Sequence, residues 1–113
     1  MKDTKHLYEG MYILSAQLSD DARAKAFEKI QSEIKELGGE IKNVIEMGRR
    51  RLAYEISNHR EGYYFLMYFE VNASAINTLW SNYHLNEDLL RFMTLTTEEV
   101  KETLEFKELA EQA

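Results

Sequence analysis

Three consecutive arginines, Arg49, Arg50 and Arg51, are the residues of this sequence best suited to binding chemistry. They follow a glycine and precede an alternating apolar run, EMGRRRLAYEI at 46–56. Guanidinium groups present planar donor forks that match two phosphate oxygens at once, which a run of lysines does not. The simpler alternative is a charge block on an edge strand, pairing with nearby glutamates, and three arginines alone favour that reading. Alternation along a strand puts Arg50 on the face of Leu52, Tyr54 and Ile56, with Arg49 and Arg51 opposite, provided Gly48 leaves the register unshifted.

Catalytic and metal chemistry find less to work with. His6, His59 and His84 are far apart, each in polar company, without the spacing of metal ligands. Glu87 and Asp88 are adjacent carboxylates in a loop, where solvated acids are the ordinary case. No phosphate-binding glycine loop, dinucleotide fingerprint or activated nucleophile is present. No catalytic residue, metal, cofactor or small-molecule substrate is therefore expected.

The arginines stand in an acidic chain of 113 residues with formal net charge −6 and pI near 5.1. The charge is uneven. From Thr97 onward six glutamates meet two lysines, a net −4, whereas from Lys42 to Arg60 five basic residues face Glu46 and Glu55. A whole-chain value conceals such local fields. There is no cysteine, which fits a reducing cytosol. The first residues, MKDTKHLYEGMY, lack the apolar segment of a signal peptide, and the apolar runs are too short to span a bilayer. A soluble cytoplasmic domain with no membrane contact is expected.

The elements that must position the arginines follow from periodicity and turn chemistry. Residues 8–15 read as a strand, and Ser19 or Asp20 caps a helix whose Phe27, Ile30, Ile34 and Leu37 form one stripe, ended by Gly38-Gly39. Residues 40–56 form a second extended segment, too long for an ordinary strand, which implies a bulge or bend at Gly48. Residues 57–62 supply turn chemistry, and 63–71 (YYFLMYFEV) form an apolar third strand. A second helix starts at Asn72 or Ser74 with Ile76, Leu79, Trp80 and Tyr83 on one face, and 89–95 form a fourth strand. Thr96-Thr97-Glu98-Glu99 then resembles a capping box opening an acidic helix to about Glu111.

This order, β-α-β-β-α-β, predicts an α+β ferredoxin-like split β-α-β sandwich, a four-stranded antiparallel sheet with two helices on one face. The domain covers 1–96, and 97–113 form an acidic C-terminal tail, helical or frayed. The apolar first and third strands belong in the centre and the charged second strand at an edge. Parity in the third strand sends Phe65, Met67 and Phe69 to the helices and Tyr64, Leu66 and Tyr68 to the open face. In the first strand Met11 and Ile13 are expected under the helices, with Tyr8 and Tyr12 on the open side. Four tyrosines and a leucine together exceed scattered exposure and favour a contact surface over ordinary half-solvated tyrosines.

With these segments in order, the chain resembles the bacterial small-subunit ribosomal protein six family from about His6 to Leu95. The resemblance rests on Tyr8-Glu9, Leu37-Gly38-Gly39, GRRRLAY at 48–54, Leu66-Met67 with Glu70, and NEDLLR at 86–91. Glu55 stands where the family usually has a proline. The resemblance implies a non-enzymatic ribosomal protein that binds 16S ribosomal RNA as a heterodimer with small-subunit ribosomal protein eighteen. It makes Arg49, Arg50, Arg51 and Arg91 candidates for RNA contact. Tyr8, Tyr64 and Leu66 become candidates for the partner surface, which Tyr12 and Tyr68 extend by parity. The alternatives are a ferredoxin-like regulatory or dimerisation module pairing through its tyrosine face and, with less support, a small hydrolase on the same scaffold.

Overall fold

The computed structural model describes residues 5–56 and 58–99. Its elements are β1 (Lys5–Ser15), α1 (Asp20–Glu36), β2 (Glu40–Ile56), β3 (His59–Asn72), a 3₁₀ turn (Ala73–Ala75), α2 (Ile76–His84) and β4 (Leu89–Thr96). The sheet is antiparallel with order β2-β3-β1-β4, so the two most apolar strands are central and β2 is an edge, as the ferredoxin-like reading requires.

Each helix boundary has a local cause. The Ser19 side chain accepts a hydrogen bond from the Ala22 amide at 3.2 Å, and Asp20 and Asp21 place negative charge at the amide-rich start of α1. The amides of Leu37 and Gly39 close the other end onto the Ile34 carbonyl. Ala26, Ile30 and Ile34 bury the stripe, and the Phe27 ring stacks on Phe65 with centroids 4.1 Å apart. α2 begins after the 3₁₀ turn, later than Asn72 or Ser74, and buries Leu79 and Tyr83.

The faces of β1 are the reverse of the expectation. Directly paired residues in an antiparallel ladder share a face, and Tyr12 pairs with Phe65, Tyr8 with Phe69, Met11 with Leu66 and Ile13 with Tyr64. Tyr8 and Tyr12 therefore lie under the helices, while Met11 and Ile13 line the helix-free face. Tyr12 is fully buried, and its hydroxyl meets that of Tyr83 at 2.9 Å, so neither phenol is left unpaired in the core. Gly10 makes room for this ring: a Cβ there would stand 2.7 Å from the Tyr12 Oη. Tyr8 stacks on Phe69 at 5.7 Å.

Two boundaries also differ. The turn expected over 57–62 is tighter, with Asn58 at φ 67° and the strand resuming at His59. The hairpin ladder thus continues through Arg50 opposite Gly62 and Arg51 opposite Glu61. At the other end, the Thr97 amide bonds to the Leu7 carbonyl at 3.0 Å, extending the β1–β4 pairing. Residues 97–99 are not helical, and the remainder of the predicted acidic helix lies outside the described residues.

Gly10→Ala should lower the unfolding free energy by about 1–3 kcal/mol through overpacking against the Tyr12 ring. Tyr12→Phe should cost about 1–3 kcal/mol by stranding the Tyr83 hydroxyl. Adding Tyr83→Phe should then cost less than its effect alone, a coupling that urea titration of the four proteins measures.

Candidate nucleic-acid and partner interface

The three arginines sit on β2, where the ladder to β3 slips three times: between Ile41 and Asn43, between Glu46 and Gly48, and between Arg51 and Ile56. At the second, Met47 is the extra residue and Gly48 takes φ +80°, the bulge anticipated at this glycine. It resets parity before the arginines begin. Gly48 then faces Tyr64 and Arg50 faces Gly62, on the helix-free side, whereas Arg49 opposite Tyr63 and Arg51 opposite Glu61 turn to the other side.

Their partners differ. Arg49 forms an ion pair from Nε to the Glu61 carboxylate, and Arg50 donates from Nε to the Met47 carbonyl at 3.1 Å, across the bulge. Arg51 makes no ion pair among the described residues. Arg60, beyond the turn, stands 3.8 Å from Glu55. All four arginines are exposed, so these pairs are weak and open to exchange for phosphate. Lys42, by contrast, is held 3.3 Å from both Glu40 and Glu70, away from the hairpin tip.

Arg91 lies on β4, the opposite edge of the sheet, paired with Ile13. It nevertheless reaches the hairpin, donating from Nη1 to the Tyr54 hydroxyl with its guanidinium carbon 5.9 Å from the centre of that ring. The distal part of β2 therefore arches over the helix-free face, and Leu52 and Ile56 pack on it. Tyr64 lies beneath: burial pushes its phenol up, the Arg91 guanidinium pulls it down, and Tyr54 pushes it up. All four sequence-predicted arginines are thus linked to one hairpin.

The expected partner surface differs in composition from the sequence expectation. Tyr64, Leu66 and Tyr68 lie on the helix-free face with Met11 and Ile13, but they are 1%, 0% and 0% exposed. Leu7, Ile45, Met47, Leu90 and Met93 are the partly buried side chains packed around them. Tyr68 donates to Glu9 at 2.7 Å, fixing the ring within this face. Tyr8 and Tyr12 are no part of it.

Comparison with known proteins now bears on this geometry. A sequence model of the family described as ribosomal protein S6 matches residues 7–96. The chain belongs to the ribosomal protein S6 family. It is 64% identical over 108 residues to small ribosomal subunit protein bS6 of Protochlamydia amoebophila, covering 96% of this chain and 95% of that one. It is 56% identical over 110 residues to bS6 of Chlamydia muridarum, covering 97% and 98%. The crystal structure of 30S ribosomal protein S6 from Thermotoga maritima superimposes with TM-score 0.79 at 28% identity, over 83% of this chain and 89% of that one. The S6 family consists of ribosomal structural proteins, and the chain is not an enzyme.

Two further residues of the hairpin join these side chains, Tyr54 and Arg60, neither of which the sequence marks as a contact residue. With Arg51, Leu52, Ala53 and Glu55 they line a shallow depression of about 220 Å³. The signal for both was the strand length, since a segment of 17 residues must project beyond its neighbours.

The bulge that presents the arginines depends on Gly48. No atom lies within 4 Å of a Cβ added there, so substitution costs backbone strain alone. Gly48→Val should destabilise the protein by about 1–2 kcal/mol, and Gly48→Asn by clearly less. Thermal unfolding distinguishes the two, and equal effects would contradict a purely conformational origin.

Proposed function

We propose that this small-subunit ribosomal protein binds 16S ribosomal RNA through the β2–β3 hairpin, together with small-subunit ribosomal protein eighteen. The observation carrying the reading is the placement of Arg49, Arg50 and Arg51 on an exposed hairpin, with Arg91 tied to its end through Tyr54. Around the tip, Arg49, Arg50, Arg51 and Arg60 outnumber Glu55 and Glu61, so the local field is positive within an acidic chain. Family membership supplies the ribosomal setting. The few cations fix register on the backbone, while a basic partner supplies most of the phosphate neutralisation.

The partner meets the helix-free face. Tyr64, Leu66 and Tyr68 form its floor, and contact is made through the partly exposed rim of Ile45, Met47 and Met93. Apolar area on a face without helices is the usual material of such an interface.

Replacing Arg49, Arg50 and Arg51 by alanine should weaken binding of the heterodimer to 16S RNA. It should also reduce the log–log salt slope by about 0.9 for each arginine that touches phosphate. Filter binding at several salt concentrations checks this, and an unchanged affinity and slope would remove the arginines from the interface. Aspartate at Leu66 would unfold the sheet, because that side chain has no exposure. Ile45→Asp or Met93→Asp is the informative change, expected to lower partner association at least tenfold with the circular dichroism unaltered. Undiminished association, or a tight homodimer closed through this face, would count against the assignment.

A further inference from the structure

Tyr54 is 56% exposed, an unusual place for a large aromatic ring on a domain whose other tyrosines are mostly buried. The ring is nevertheless anchored. Its hydroxyl accepts a hydrogen bond from Arg91 Nη1, across the full width of the sheet, and Leu52, two residues earlier, is buried against the sheet face. An exposed ring held at its polar end has lost rotational freedom before any ligand arrives, which lowers the entropic cost of contact. A clamp holding the hairpin down would work as well, or better, with the ring buried.

The surroundings indicate what would cover the ring. Arg51 and Arg60 line the same depression as Tyr54, and the Arg91 guanidinium carbon lies 5.9 Å from the ring centre, so three cations share the neighbourhood of an exposed aromatic. Aromatic platforms flanked by arginines bind single-stranded nucleic acid, the ring stacking on a base while guanidinium groups hold adjacent phosphates. An apolar protein partner would bury Arg51 and Arg91, which have no ion pair among the described residues, and would leave Arg60 only the Glu55 carboxylate at 3.8 Å.

We propose that Tyr54 is a stacking platform for one unpaired nucleobase of the bound RNA, with Arg91 fixing the ring and Arg51 and Arg60 holding the flanking phosphates. This rests on the RNA-binding reading above and adds base contact to what would otherwise be backbone contact alone. The recognised feature is a nucleotide displaced from its helix, because a stacked base offers no free face.

The test uses the full chain with small-subunit ribosomal protein eighteen and a 16S RNA transcript, in filter binding at several salt concentrations. Tyr54→Ala should weaken binding about tenfold, within the range of one base–aromatic stack. Its salt slope should not change, because no phosphate contact is lost. Tyr54→Trp should lose clearly less than Tyr54→Ala, since the stacking surface is kept although the hydroxyl that Arg91 holds is not. Arg51→Ala with Arg60→Ala should instead reduce the slope. Parental affinity for Tyr54→Ala would overturn the stacking proposal, as would equal losses for Tyr54→Ala and Tyr54→Trp. If the Tyr54 variants are silent while the arginine variants lower the slope, the RNA reading stands without the stack. If all are silent, both fall.

Discussion

The ladder between β1 and β3 is the constraint on which the rest of the molecule depends. It pairs every residue from Lys5↔Asn72 to Ser15↔Gly62 without a slip, while β2 and β4, on either side, both contain register shifts. A one-residue slip in this ladder would exchange the two faces of β1. Tyr12 would leave the core with its hydroxyl partner, and Met11 and Ile13 would move under the helices. Gly10 makes that exchange costly, since the space above it is shaped for one ring. With the central pair continuous, the register shifts fall on the edge strands, and the arginines of the proposed site sit on those edges.

Which parts of this were legible in the sequence follows from the range of the interactions involved. The faces of the third strand are legible because Phe and Met at odd positions contrast with Tyr, Leu and Glu at even ones, a local pattern. Those of the first strand are not, because Met and Ile look more apolar than Tyr. What makes a buried Tyr12 acceptable is Tyr83, far along the chain on another element. The bulge at Gly48 was legible because a glycine interrupts an overlong strand. The slip between Ile41 and Asn43 carries no such mark, and the contact of Arg91 with Tyr54 joins opposite edges that no local pattern connects. The turn composition of 58–62 has a related cause: among these residues only Asn58 takes a positive φ, and β3 begins at His59.

The charge distribution acquires a physical sense once the cations are sorted by partner. Lys42 is occupied by two glutamates at the far end of β2, and Arg23 lies over the Tyr63 ring at 3.8 Å beside Asp20, on the helix side. These serve the fold. The arginines at the hairpin tip are exposed, and their carboxylate neighbours are exposed too, so exchanging a carboxylate for a phosphate costs little desolvation. An acidic protein can therefore orient itself on a polyanion with a handful of side chains. Such an arrangement would not need the general affinity for nucleic acid that a basic protein carries.

The bond between Arg91 and Tyr54 also sets an order of events during synthesis. Arg91 belongs to the last strand of the sheet, whereas the hairpin tip it steadies, around Asn58, lies some thirty residues earlier along the chain. Until β4 has left the ribosome and paired with β1, the hairpin tip lacks its brace and one of its cations. The central ladder can form before then, from strands already made. A nascent chain thus has its framework before its braced hairpin, and the truncated forms present during translation hold an unfinished tip.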